Sequence, residues 1–523
     1  MGNTNYSRRP ATSVIGVAMA VAAASGSSCS LVVETLDCKT NADCLAKSAE
    51  THCVHSGGAS TGQCVRLRSA ECNRLVGAWE DEDALLVGSV FPTTGPDLPT
   101  GLACQNAVEI AMSEFSTGLP AAPGTSKRRP LALVGCSDSS NPDQGVRAAS
   151  HLAELGVQVV LGPQWSGVTR AIATQVTIPN DMLLISPSAT AVSITSLVDK
   201  GLVWRTSPSD TYQGAALAKY VPLLEAQIRS ERALPAAAKL KLLMVFQGTD
   251  YGRGLSEALM KTLVLNGASV SSTANAQYFD SFNYGSGDSR DTAGAATRVL
   301  SFKPDIVLNL CTDEGVNEVF APVENQWPQG TPGPHWVFGD GGETASLWKA
   351  IGNRDELRRR TTGTVPGTNN SIFQTFKFKY DSRHFNDGTD PAALGPAGSY
   401  DSLHLVAYSA ASLGSQPLTG PNLATGLASI DNLSSTTVLD ISAQNVEQIS
   451  GLLQAGKTIN VNGASGPLDF DLETGEAPSD IQVWCMPKDA QGNARSAVFS
   501  NLYLDAATMA LNTDKPDATV CMF

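Results

Sequence analysis

The sequence predicts an α/β protein of two lobes, each a mainly parallel sheet flanked by helices, with a small disulfide-rich module on the N-terminal side. Three observations predict it. Short β-rich apolar runs alternate with helical periods, the texture of parallel strands joined by helical crossovers. That texture occurs twice, on either side of a boundary near Ser207-Pro208. At 523 residues, the chain also exceeds what one ordinary core covers.

In the first unit the strands are expected at Leu85–Val90, Leu131–Cys136, Val157–Gly162 and Met182–Ser186. Between the first two, Cys104, Val108, Ala111, Met112 and Phe115 line one helical face. The second unit repeats the arrangement with strands Lys241–Phe246, Asp305–Leu310 and His335–Gly339 and an intervening helix, Gly254–Leu265. A helix at Tyr400–Leu413, a surface loop at Pro391–Gly398 and a β-rich tail from Thr458 complete the chain.

The N-terminus carries Arg8 and Arg9, an apolar stretch from Ala11 to Ala24, and then Ser25-Gly-Ser-Ser-Cys29. That is the order of an export signal, and the apolar stretch falls short of the roughly 20 residues a membrane span needs. Cys29 after small residues resembles a bacterial lipobox, with Gly26 where Leu is usual, and is the expected lipid site; plain cleavage and a disulfide are the alternatives. Eleven cysteines in an exported chain favour disulfides, and reserving Cys29 leaves an even ten. Cys38, Cys44, Cys53 and Cys64 form a two-disulfide module, Cys485 and Cys521 are expected to pair in the tail, and Cys72, Cys104, Cys136 and Cys311 stay unassigned.

A net charge of −14, with no basic run longer than Arg358-Arg359-Arg360, excludes nucleic acid as a partner. Two literal motif matches carry no chemistry. Gly451-Leu-Leu-Gln-Ala-Gly456-Lys457-Thr458 spells a P-loop, but a helical stretch precedes it and a strand-like one follows, the reverse of what phosphate binding requires. Gly58-Ala-Ser60-Thr-Gly62 spells a nucleophile elbow inside the cysteine-rich module, where no strand-to-helix turn is available. His52 and His55 beside Cys53 fit no zinc spacing. Nothing here argues for catalysis, and the chain is expected to have no cofactor and no metal and not to be an enzyme.

Open α/β sheets bind ligands beyond the carboxyl ends of their strands. Two loops there are informative. Pro163-Gln-Trp165-Ser166-Gly167 leads into a helix for which Ser166 is the expected N-cap, with free amides suited to a carboxylate. Pro187-Ser188-Ala189-Thr190 offers two hydroxyls and backbone amides. Trp165 is either core or pocket wall.

Gly162-Pro-Gln-Trp-Ser166, Ile185-Ser-Pro-Ser-Ala-Thr190, Arg205-Thr-Ser-Pro-Ser-Asp210 and Asp250-Tyr251-Gly252-Arg-Gly254, in this order, resemble the leucine/isoleucine/valine-binding protein family of type I periplasmic binding proteins. Phe91-Pro-Thr-Thr-Gly95, Ser399-Tyr-Asp-Ser402 and Gly463-Ala-Ser-Gly-Pro-Leu-Asp-Phe470 support the match. The resemblance implies a clamshell with a three-stranded hinge and a small amino-acid-like ligand between the lobes. Ser166, Ser188, Ala189 and Thr190 would hold its carboxylate and ammonium from lobe 1. Tyr251 would close from lobe 2, and Asp313 or Glu314 would supply the acidic partner, with Gly315 competing for the position.

The expected domains are an export signal (1–28), a cysteine-rich spacer (29–78), lobe 1 (79–206 and 340–479) and lobe 2 (207–339 and 480–523). The implied role is the extracytoplasmic, lipid-anchored binding component of an ATP-binding-cassette importer for branched-chain amino acids or amides, periplasmic or on the cell surface. The rival is a sensing or surface-interaction lipoprotein that signals to a partner, favoured by the extra module and by Ser30 after Cys29.

Overall fold

The computed structural model of the protein describes residues 37–55, 60–121, 127–367, 370–431 and 435–513. Cys29 and the export signal lie outside the described residues, as does Cys521. Among the described residues no helix is long and apolar enough to cross a membrane.

Lobe 1 is built on a six-stranded sheet in the spatial order Cys72–Gly77, Leu131–Ser137, Leu85–Phe91, Val159–Leu161, Leu183–Ser186, Val203–Arg205. Lobe 2 has eight strands, ordered Phe279–Asn283, Leu242–Phe246, Ile306–Leu310, His335–Phe338, Thr361–Pro366, Ile481–Cys485, Val498–Leu504, Leu511–Asn512. Each lobe contains the same five-stranded parallel unit, in which the second strand of the chain lies outside the first and the third, fourth and fifth follow on the other side. The two tandem units expected from the sequence are therefore topologically alike.

The strands are continuous apolar runs because both faces of each sheet are covered. In lobe 1, Val87, Leu133, Leu161 and Ile185 face one core with helices Leu98–Glu114 and Pro396–Ser412, while Val90, Val134, Val160 and Leu184 face another with helix Pro142–Glu154. Lobe 2 repeats this, with Leu242, Met244 and Leu308 on one side and Leu243, Val245 and Trp336 on the other.

The chain crosses between lobes three times: after Val203–Arg205, after Thr361–Pro366, and before Ile481–Cys485. Backbone bonds join the crossings, with Gly367 N–H donating to Asp480 O at 2.7 Å and Arg205 N–H to Gly475 O at 2.9 Å. Arg205, 1% exposed, ion-pairs with Glu476 beside them.

Several expectations need correction. Residues 340–366 do not belong with lobe 1, because Thr361–Pro366 pairs in the lobe 2 sheet, parallel to His335–Phe338 and antiparallel to Ile481–Cys485. Cys72–Gly77 is a lobe 1 edge strand and not part of the spacer. Pro391–Gly398 is not wholly a surface loop: Pro396, Ala397 and Gly398 are buried as the first turn of helix Pro396–Ser412, where proline suits a position that has no backbone donor to satisfy. The helix Asp210–Glu231, which opens lobe 2, was not anticipated; Pro222 interrupts its pattern.

The four module cysteines pair as Cys38–Cys53 and Cys44–Cys64 and form its core almost alone, which takes those thiols out of metal ligation. Ser60 precedes strand Gly62–Arg66 and no helix. Helix Val446–Gln454 and strand Asn460–Asn462 flank the P-loop match in the reversed order. Cys72 bonds Cys136 across two paired strands. Cys485 is disulfide-bonded, and Cys521, its expected partner, lies outside the described residues. Of the four cysteines left unassigned by sequence, Cys104 and Cys311 are free and buried in different lobes, so they cannot pair with each other.

The Cys72–Cys136 bridge closes a separation of 64 residues; a chain-entropy argument gives it about 4 kcal/mol, usually realised only in part. Replacing both by Ala is expected to lower stability by roughly 2–4 kcal/mol, read as a lower urea midpoint. An unchanged midpoint would show that strand pairing alone holds this edge.

Candidate functional site

The carboxyl ends of both parallel units meet at the gap between the lobes, and every expected site residue is in a loop or first helical turn there. After Val159–Leu161 the chain must turn against the neighbouring strand. Gly162 does so with φ +98°, and a Cβ there would lie 2.2 Å from Val90 O. Trp165 then takes an extended conformation and is itself the cap residue of helix Ser166–Ile172. Ser166 is therefore the first helical residue and not the N-cap. Its buried Oγ accepts the Ala191 N–H at 3.2 Å, tying this helix to the next loop and leaving the hydroxyl hydrogen free to donate.

The Ser186 hydroxyl shapes that next loop by donating to Pro163 O at 2.6 Å and accepting from Ala189 N–H at 3.1 Å. Ser188 donates to Gln164 O at 3.0 Å, so its hydroxyl is already engaged. Thr190 is buried beside the Asp210 carboxyl, and its carbonyl accepts the Asp210 N–H at 2.7 Å. The lobe 1 residues named from sequence are thus one connected wall.

Asp210 was not named as a site residue, although it ends one of the motifs that carry the resemblance. It is 0% exposed, and neither carboxylate oxygen has a hydrogen-bond partner among the described residues. Burial and the neighbouring Asp340 charge push its carboxyl well above the ordinary carboxylate range. Asp340, after strand His335–Phe338, is 1% exposed and has one oxygen without a partner. Its other oxygen accepts from the Tyr251 hydroxyl at 2.6 Å, and that phenol also accepts the Gly341 N–H at 3.2 Å. The Tyr251 hydroxyl is thus committed to Asp340, and helix Asp250–Thr262, capped by Thr249, holds the ring in place.

Asp313 and Glu314 follow strand Ile306–Leu310, as expected. Glu314 accepts from the Tyr284 hydroxyl at 2.7 Å and from Thr312, while Asp313 Oδ1 is buried without a partner. Both charges act across the gap on Asp97, which accepts from Trp165 Nε1 at 3.1 Å and from the Ser140 hydroxyl. Trp165 is half-buried, a wall of the gap fixed through its indole nitrogen. Asp138, directly after Leu131–Ser137, is 0% exposed; Oδ1 accepts the Ser140 N–H at 2.8 Å and Oδ2 has no partner.

Asp97, Asp138, Asp210 and Asp340 were therefore missed by sequence reasoning. An acidic residue within three positions of a parallel strand's carboxyl end would have flagged Asp138 and Asp340. Asp97 has no such local signal, because the fold brings its loop to the gap.

The lobes are in contact at the rim. Arg170 of lobe 1 pairs with Asp250 of lobe 2 at 2.5 Å, and Gly254 packs against the Ala191-Val192 backbone, where a Cβ would stand 3.7 Å from the Val192 nitrogen.

The family model described as periplasmic binding protein matches residues 85–484. The Leu/Ile/Val-binding protein BraC3 of Rhizobium johnstonii is 28% identical over 225 residues, 43% of this chain and 53% of its own length. Leu/Ile/Val-binding protein homolog 1 of Brucella melitensis is 32% identical over 188 residues, 36% of this chain and 44% of its own. The matches thus span about half the length of these curated relatives. Among solved structures, the leucine-binding protein LivK of Thermotoga maritima aligns with a TM-score of 0.57 at 19% identity, over 83% of this chain and 99% of its own. A solute-binding protein of R. palustris in complex with benzoate aligns with a TM-score of 0.55 at 15% identity, over 84% of this chain and 100% of its own. With the matched model spanning both sheets, the chain belongs to the Leu/Ile/Val-binding protein family of type I periplasmic binding proteins.

Proposed function

We propose that the protein is the extracytoplasmic solute-binding component of an ATP-binding-cassette importer of the branched-chain amino acid or amide class, anchored through Cys29, and that it closes on a small amino-acid-like ligand. One observation carries this reading: the hydroxyl-rich loops of lobe 1 stand beside Asp210, whose buried carboxylate has no hydrogen-bond partner among the described residues. Ser166 and Thr190 supply donors for a carboxylate, on a loop that the Ala189 N–H bond to Ser186 holds in shape; Asp210 and Asp340 supply the counter-charge for an ammonium. An α-amino acid presents those two groups on one carbon.

A hydrogen bond to a charged group is worth about 1.5–3 kcal/mol, or roughly ten- to a hundredfold in affinity. Thr190→Ala and Asp210→Asn are each expected to weaken amino acid binding by that factor in calorimetry. Unchanged affinity in both would place the ligand elsewhere.

Closure is expected to be reversible, because the Arg170–Asp250 pair is weak: the Arg170 side chain is 47% exposed, and such pairs contribute about 0.2–1 kcal/mol. Arg170→Ala is expected to raise the ligand release rate up to about fivefold and leave the association rate nearly unchanged. Stopped-flow showing slower association with unaltered release would contradict this.

The acidic gap also sets a pH dependence. Burial and the neighbouring Asp97 charge push Asp138 up from 3.8 to about 7. A folded-state value above the unfolded one means that the folded protein holds the extra proton, so stability falls as pH rises between about 4 and 7. Each unit of separation is worth about 1.4 kcal/mol. Asp138→Asn, which keeps an acceptor for the Ser140 N–H, is expected to gain stability over the native protein progressively across that window and to hold the gain above it. A difference that stays constant with pH would show that Asp138 titrates as it does in water.

A further inference from the structure

Besides Asp210 and Asp340, the gap holds a second acidic group with one pair from each lobe: Asp97 and Asp138 from lobe 1, Asp313 and Glu314 from lobe 2. None of the four has an ion-pair partner among the described residues; Arg170 is engaged by Asp250 and Arg205 by Glu476. Asp138 is wholly buried with Oδ2 unpartnered beside Asp97, and Asp313 adds a buried, unpartnered oxygen from the opposite side. A branched aliphatic side chain placed against these groups would bury acidic groups with nothing to receive them, which is strongly unfavourable. A cation would remove the cost.

We infer that the ligand carries a second positive charge, received by Asp97 and Asp138 of lobe 1 and by Asp313 and Glu314 of lobe 2, so that the solutes taken are amino acids whose side chain ends in an amine or guanidinium. This rests on the reading of the gap as an amino acid site. The partially exposed Trp165 indole, fixed to Asp97, offers a ring face to such a cation. In the protein alone, burial and the Asp313 and Glu314 charges push the Asp97 carboxyl above its ordinary range, so that protons relieve a repulsion the ligand would otherwise relieve. A calcium ion suits the site less well. It takes six to eight oxygens, whereas oxygens of Asp97 and Glu314 already accept from Trp165, Ser140, Tyr284 and Thr312.

The test is calorimetry and thermal shift of the full chain with lysine, arginine, leucine and calcium chloride, on the native protein and on Asp97→Asn and Asp313→Asn. Lysine or arginine is expected to bind at least about tenfold tighter than leucine, and each variant to weaken that binding by roughly ten- to a hundredfold while leaving leucine within about twofold. Glu314→Gln repeats the comparison at an independent position if either variant unfolds. Leucine bound as tightly as lysine and arginine overturns this inference and leaves the amino acid site standing. Stabilisation by calcium alone, or by none of the four, overturns both.

Discussion

A carboxylate taken out of water resists being left without a partner, and the interlobe gap keeps several in that condition. Asp138 and Asp210 are wholly buried, and Asp340 nearly so. They cannot turn back to solvent, because each stands within a few residues of the end of a strand gripped on both faces by core side chains. The like topology of the two lobes supplies this arrangement from both sides: helices Ser166–Ile172 and Val192–Thr195 of one lobe meet helix Asp250–Thr262 of the other. The sheets are thus the means by which unpartnered acidic groups are held ready.

The three crossings make that readiness usable. They are short, bonded to one another through the backbone, and pinned by the buried Arg205–Glu476 pair, whose guanidinium also donates to Ala189 O at 3.1 Å and Ala191 O at 2.9 Å. A hinge of this kind concentrates rotation in a few residues while the lobes move as bodies. Arg205 therefore connects the Ala189–Ala191 loop to the crossings, and the weak rim pair Arg170–Asp250 adds little to hold the lobes together.

The fold was legible because burial on both faces writes itself into a parallel strand as an unbroken apolar run. Leu131–Ser137 and Leu242–Phe246 could hardly be read otherwise. Thr361–Pro366 was less legible: with four polar or glycine positions in six residues it lacks that run, and only its place between two other strands identifies it. The lobe 1 wall was read from Ser166 to Thr190, apart from the helix start, which Trp165 moves by one residue. Asp313 and Glu314 were read as a choice between two residues, and the structure puts both at the gap. Asp97 escaped because its chemistry depends on neighbours distant in sequence. Asp401 and the Gly463–Phe470 segment, both quoted for the resemblance, join each other: Asp401 accepts the Ala464 N–H at 2.9 Å and the Ser465 N–H at 2.7 Å. A motif can thus mark architecture as readily as a binding site.

The small N-terminal module leads into Leu67, which is buried in the lobe 1 core, and then into the edge strand Cys72–Gly77, which the Cys72–Cys136 bond staples to the central sheet. Tension applied from the N-terminal side would therefore run along the module into a covalent rivet on lobe 1 and end there. The pivot and lobe 2 lie off that load path, so a tethered molecule could keep one half fixed while the other swings with no strain drawn from the tether.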